Sequence, residues 1–281
     1  MKGNCLCGAI SYEIAGPLSM MINCHCSMCR KHHGTAFATF VAAPLAGYRL
    51  VSGADRIVEY PSSPSGHRAF CRVCGSAAPV IASAMDMVFC PAGNLAGDLD
   101  IRPSAHYFVG SKAPWYEITD ELPQHVEYPP EFGVSGIDRP PAETSEGAVT
   151  GSCLCGDVAF RAGGTPLRIT NCHCTRCRRG RSAAHATNFF YPLDLFTFTR
   201  GESQLSDYKV PEARFFGVAF CSRCGSAAPR ISRERGFAVI PGGALDSDPG
   251  VGPTSHIFVG SKANWFDITD QLPQHEAMLP Q

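Results

Sequence analysis

Two short stretches hold the residues best suited to chemistry. Asn23 to Arg30 reads NCHCSMCR, and Asn171 to Arg178 reads NCHCTRCR. In each, three cysteines at C-x-C-x-x-C spacing can converge on one metal ion from a single tight loop: Cys24, Cys26 and Cys29, then Cys172, Cys174 and Cys177. Three protein ligands on zinc leave the fourth tetrahedral position to water or substrate, as in a catalytic site, whereas a structural site is closed by four. Zinc held by three thiolates is a poorer Lewis acid than zinc held by three neutral histidines. It still captures another soft ligand, a thiol, and lowers its pKa. A thiolate so held could attack an electrophile such as an aldehyde. The pattern points to thiol chemistry more than to water activation.

The other cysteines suggest closed sites. Cys71-Arg-Val-Cys74-Gly and Cys221-Ser-Arg-Cys224-Gly are C-x-x-C-G knuckles. Their glycine permits the tight turn that aims backbone amides at the sulfurs. Cys5-Leu-Cys7 and Cys153-Leu-Cys155 are matching hairpins. Cys5, Cys7, Cys71 and Cys74 would close one tetrahedral site, and Cys153, Cys155, Cys221 and Cys224 another. Such a site contributes roughly 10 kcal/mol or more to folding. With the two trios this gives up to two zincs in each copy and four per chain. Spacing alone leaves a different pairing, or a single zinc in each copy, open. Cys90 is the odd cysteine. Its counterpart is Ile240, so it reads as a small buried hydrophobe.

The elements that must position these residues are themselves duplicated. Cys24 and Cys172 lie 148 residues apart, and the knuckles at Cys71 and Cys221 lie 150 apart, so the second copy gains two residues between them. Phe108 to His125 and Phe258 to His275 agree at fourteen of eighteen positions, which chance does not supply. We read a tandem duplication: a first domain at 1–128, a linker at 129–147 rich in Pro, Gly, Ser and Glu, and a second domain at 148–281. Within each copy the segments read mainly as strands. Those expected are 9–14, 36–42, 48–51 and 57–60 in the first, and 157–162, 186–192, 196–199 and 215–220 in the second. Long helices are not expected, and short ones are placed after Cys29 and after Trp115. The fold class is mainly β, organised by zinc in each half.

A net charge of −1 is not the footprint of a nucleic-acid binder or a membrane-surface protein. No apolar run approaches the ~18 residues that span a bilayer. MKGNCLCG has no hydrophobic signal core. The expected location is the cytoplasm, where thiols stay reduced, and fifteen cysteines then argue for metal more than for disulfides.

Other residues gain weight from recurring in both copies. His25 and His173 sit between two ligand cysteines, where an extended C-H-C points them away from the metal. They read as hydrogen-bonded supports. Arg30, Lys31, Arg178 and Arg179 could bind an anionic thiol, offset the charge of a three-thiolate zinc, or be solvated. His106 and His256 read as structural hydrogen-bonding groups or pocket residues. Lys112 and Lys262 follow a Gly-Ser turn and could cap a site or bind an anion. Trp115 and Trp265 read as core anchors, and Asp120 and Asp270 as turn or capping residues. His32, His33 and His185 do not recur, so no mechanism shared by both copies requires them.

With C-L-C-G, N-C-H-C-x-x-C-R, C-x-x-C-G-S and H-x-F-V-G-S-K-A-x-W-x-x-I-T-D-x-L-P present in order in both copies, the chain resembles the glutathione-dependent formaldehyde-activating enzyme (GFA) family, which includes centromere-protein-V-like proteins. The resemblance implies an Mss4-like β fold with two zincs per domain. It implies structural roles for the two quartets and catalytic-type open zinc sites at the two trios. It also implies a carbon–sulfur lyase activity joining a glutathione-like thiol to a small, formaldehyde-like aldehyde, or the reverse. The competing reading is a non-enzymatic zinc-binding interaction module.

Overall fold

The computed structural model describes residues 1–64, 66–132 and 147–278. Most of the expected linker, 133–146, lies outside the described residues. The chain is mainly β, and the halves repeat the same sheets. Alternation decides which face is buried: in Ser11–Ile14, Tyr12 and Ile14 are buried while Ser11 and Glu13 are not. This strand lies between Lys2–Asn4 and Tyr48–Ser52, as Ala159–Gly163 lies between Ala148–Ser152 and Phe196–Arg200. A second sheet carries the knuckles. It contains Ile57–Ser63, Gly66–Cys71 and Ala77–Ala78, repeated as Leu205–Lys209, Gly217–Cys221 and Ala227–Ala228. The strand expected at 215–220 begins only at Gly217, because Phe215 and Phe216 are drawn into the longer turn between Lys209 and Gly217.

The largest sheet of each half has six strands and carries the trio. Met20–Cys24 pairs antiparallel with Ala38–Pro44 and parallel with His106–Tyr107, which sets His106 beside Asn23. Arg168–Cys172, Ala186–Pro192 and Ser255–Ile257 repeat the arrangement, with His256 beside Asn171. The chain leaves each central strand through the C-x-C and enters a short helix, α1 (Ser27–His33) or α2 (Thr175–Arg181). Sulfur caps both: the Cys29 amide donates to Cys26 Sγ at 3.3 Å, and the Cys177 amide to Cys174 Sγ at 3.4 Å. The helix expected after Cys29 thus begins before it and includes it. Among the described residues, no helix starts directly after Trp115, where 117–120 has no helical turn. There the Tyr116 carbonyl accepts from Lys112 Nζ at 2.6 Å, and Asp120 Oδ1 takes the Leu122 amide at 3.0 Å, so side chains claim the backbone groups a helix would use.

The halves interlock about a pseudo-twofold axis. Phe70 and Phe220, each just before a knuckle, meet edge to face with centroids 6.2 Å apart. Each also covers the glycine of the opposite knuckle. A Cβ on Gly75 would lie 2.5 Å from the Phe220 ring, and one on Gly225 would lie 2.3 Å from that of Phe70. The C-terminal end of each helix rests on a glycine turn of the other half: a Cβ on Gly243 would fall 2.1 Å from the Arg30 carbonyl oxygen, and one on Gly93 would fall 2.2 Å from the Ala183 amide nitrogen. Lys31 reaches across to the Ser152 carbonyl and hydroxyl, both at 2.8 Å, and to the Asp246 carboxylate. One apolar core therefore runs through both halves.

Gly243→Ala places a methyl against backbone, which cannot rotate away. The variant should lose about 3 kcal/mol or more, read as a lower midpoint in thermal unfolding. Gly236→Ala, where a Cβ meets nothing within 4 Å but φ is +70°, should cost only about 1 kcal/mol.

Candidate metal centres

Among the described residues, four groups of sulfurs gather, those of each group within 4.8 Å of one another, and could hold a metal ion. Two are quartets: Cys5, Cys7, Cys71 and Cys74, and Cys153, Cys155, Cys221 and Cys224. Two are trios: Cys24, Cys26 and Cys29, and Cys172, Cys174 and Cys177. The donor set suits a thiophilic ion such as zinc. Backbone amides already point at the sulfurs, Ile10 N to Cys5 Sγ at 3.3 Å and Val158 N to Cys153 Sγ at 3.2 Å, an outer support typical of thiolate ligands. Within the second trio, hydrogen bonds from Cys172 and Cys177 hold the Cys174 thiol down to about 3, while the bond to Cys174 pushes Cys172 up to about 12. A divalent cation would take the place of the protons the sulfurs share. Cys90 is fully buried in the core, with its thiol pushed up to about 12 by burial.

Behind each trio runs a chain of hydrogen bonds that sequence reasoning did not assemble. His25 Nε2 lies 2.8 Å from His106 Nδ1, and His106 Nε2 lies 3.0 Å from both carboxylate oxygens of Asp120. His173, His256 and Asp270 repeat it at 2.8 Å and 3.0–3.1 Å. With neutral rings, His106 Nε2–H donates to Asp120, so His106 Nδ1 accepts from His25 Nε2–H and His25 Nδ1 is left bare. Burial holds His25 well below the usual histidine range, and so keeps it neutral. Retention of His25, His106 and Asp120 in the second copy was the available signal. The parallel strand pairing that joins them could not be read from spacing. The two chains end near a small polar cavity on the pseudo-dyad, lined by His106, Asp120, His185, His256 and Asp270.

The cationic candidates are mostly engaged elsewhere. Arg30 Nε donates to the carbonyls of His25 and Ser111 at 3.2 and 3.1 Å, so it braces the loop. Lys31 ties the halves together. The Arg179 carbonyl accepts from Ser76 Oγ at 2.9 Å, which joins α2 to the first quartet's knuckle. Arg178 is partly buried, and burial lowers its pKa. Lys112 and Lys262 fold back onto the carbonyls of Tyr116 and Phe266. Trp115 and Trp265 are buried, the former against Phe189 of the other half at 5.4 Å.

The trios differ in what faces them. Arg68 Nη2 lies 3.5 Å from Cys29 Sγ and 3.9 Å from Cys26 Sγ. Met28, Tyr107 and Phe108 pack around that trio, and Tyr128 stacks edge-on to Phe108 at 4.8 Å. The second trio opens into a cavity of about 570 Å³. No helix among the described residues is long and apolar enough to cross a membrane.

A mainly β chain with paired cysteine quartets and trios defines a class of cysteine-rich proteins with candidate metal centres. The glutathione-dependent formaldehyde-activating enzyme family model matches residues 1–111 and again 148–261, and the chain belongs to this family. A curated Halomonas elongata protein, named provisionally for glutathione-dependent formaldehyde activation, is 29% identical over 126 residues, covering 42% of this chain and 80% of the relative. A crystal structure of a Rhodobacter sphaeroides protein is 28% identical, covers 36% of this chain and 92% of that one, and superposes with a TM-score of 0.31.

His185 stands where the first half has Phe37, and neither of its ring nitrogens finds a partner among the described residues. Burial lowers it to about 3 from an ordinary 6.5; His32 and His33 fall likewise to about 3 and about 4. Their folded pKa values lie below the unfolded ones. The stability they allow is therefore complete above about pH 6.5 and is lost as pH falls toward 3–4. His185→Phe should raise stability by about 1–3 kcal/mol at neutral pH. Below pH 6.5 its advantage should widen by roughly 1 kcal/mol per unit, measured as urea midpoints at pH 7 and 5.5.

Proposed function

We propose that this chain is a zinc-dependent carbon–sulfur lyase that joins a glutathione-like thiol to formaldehyde or a similar small aldehyde, or reverses that addition. The observation that carries the reading is the separation, in each half, of three clustered sulfurs from four. In this reading the domains are 1–128 and 148–281, joined by 129–147. Cys5, Cys7, Cys71 and Cys74, with Cys153, Cys155, Cys221 and Cys224, hold structural zinc. Cys24, Cys26 and Cys29, with Cys172, Cys174 and Cys177, hold zinc that keeps a fourth position. The family's name and that of the Halomonas elongata relative support glutathione and formaldehyde as the reactants.

Bound zinc would supply a centre that accepts a thiol and lowers its pKa. The chain's residues fix the geometry around it. The amides of Cys29 and Cys177 hold Cys26 and Cys174 in place, and Arg30 holds the C-H-C backbone through the His25 carbonyl. The hydrogen-bond chains keep a proton on His25 Nε2 and His106 Nε2, and on their counterparts. They lead from the buried loop to Asp120 and Asp270, which are partly exposed. Addition forms a sulfur–carbon bond as the carbonyl π bond breaks, the thiol gives up its S–H proton and the aldehyde oxygen gains one, and such a relay is suited to that proton transfer.

Protein purified without added metal should contain close to four zincs per chain. It should speed exchange between glutathione and formaldehyde beyond the spontaneous reaction, which must be subtracted. Serine replacement of both trios should remove two zincs, and Cys26→Ser with Cys174→Ser should abolish the acceleration. Two zincs untouched by these replacements, with no acceleration, would transfer support to the interaction-module reading.

A further inference from the structure

We propose that the two trios have separate tasks: the second takes an external ligand with two or more anionic groups, and Arg68 covers the approach to the first. This rests on reading the second trio as an open metal site, and deepens it. The cavity over Cys172, Cys174 and Cys177 is lined by six arginines, Arg168, Arg176, Arg181, Arg214, Arg230 and Arg235, and four of them, Arg168, Arg176, Arg230 and Arg235, stand where the first half is apolar. At the corresponding strand, helix and turn positions the first half has Met20, Met28, Val80 and Met85. Four cations thus replace four apolar side chains around equivalent sulfurs. The opposite exchange occurs once: Val218 lines the second cavity at the place of Arg68.

Each exchange has a physical consequence. Arg68 is a fixed guanidinium within hydrogen-bond reach of two sulfurs, so it neutralises thiolate charge and stands on their approach. In the second half that volume belongs to a valine and the face stays open. Two of these arginines rest on aromatic rings, and Arg230 donates to the Phe215 carbonyl at 3.3 Å. Arg168 lies 4.0 Å over Phe190, and Arg235 lies 4.7 Å over both Phe215 and Phe237. Arg176 approaches Glu212 only at 3.9 Å, at a well-exposed pair. Mutually repelling guanidinium groups round one cavity are relieved by a ligand carrying carboxylates or phosphate. The cavity volume suits a molecule of small-peptide size.

The test uses the intact zinc-loaded chain, glutathione, and S-methylglutathione, which keeps the carboxylates but lacks a free thiol. Calorimetric titration should give one equivalent per chain for each ligand. The triple variant Arg168→Met, Arg230→Val, Arg235→Met should weaken both by at least about tenfold. Neutral iodoacetamide, followed by peptide mass spectrometry, should label the Cys172–Cys177 peptide ahead of the Cys24–Cys29 peptide. Arg68→Val should bring the two rates together. Two equivalents per chain, equal labelling in the parent, unchanged affinity in the triple variant, or no binding of either ligand would each overturn the proposal. Binding of S-methylglutathione in the predicted pattern, without accelerated thiol–aldehyde exchange, would retain the ligand cradle and sink the lyase reading. Acceleration with two equal sites would do the reverse.

Discussion

Sulfur atoms held within 4.8 Å of one another cannot all be thiolates unless positive charge lies among them. That constraint governs much of what the fold must do. Each quartet joins the first few residues of a half to a knuckle more than sixty residues later, with a separation of 64 between Cys7 and Cys71. Strands as short as Ala77–Ala78 and Leu95–Ala96 bury little surface of their own. A cation shared by four ligands from distant segments offsets part of the chain entropy those segments lose on folding.

The helices answer a different need. A trio drawn from one loop requires the chain to reverse direction within a few residues and then hold still. Capping by Cys26 and Cys174 makes a sulfur of each trio part of the helix start, so the same atom orients the loop and belongs to the candidate metal centre. The other end of each seven-residue helix has little intrinsic stability. It is held by the opposite half, through backbone contact at Gly243 and Gly93. Placement of a trio in one half is thus tied to the fold of the other.

Much of this was legible in the sequence. Ligand spacing repeated at a fixed offset exposed the duplication, and alternation exposed strands such as Ser11–Ile14 and Ala159–Gly163, but not the central Met20–Cys24 and Arg168–Cys172 that lead into the trios. Hairpins, knuckles and loops suggested the quartet and trio groupings but left other pairings open, and the sulfur positions bring those groups together. Less visible were contacts that depend on strands far apart in sequence. His106 meets His25 only because a two-residue strand adds parallel to Met20–Cys24. Arg68 faces Cys29 from a hairpin 39 residues away, and nothing in the local pattern marks it as different from the arginines around it. The segment after Trp115 reads as helical by composition, yet Lys112 and Asp120 divert its backbone groups.

The pseudo-twofold axis has a consequence of its own. Where two identical chains meet, every substitution appears on both sides of the axis, and a change that suits one face is imposed on the other. Here the two faces are encoded separately. A methionine can become an arginine at residue 168 while residue 20 stays as it is, and a guanidinium can fill one pocket without filling its mirror image. Covalent joining has released the molecule from the obligation to be symmetric while leaving the shared core that symmetry built.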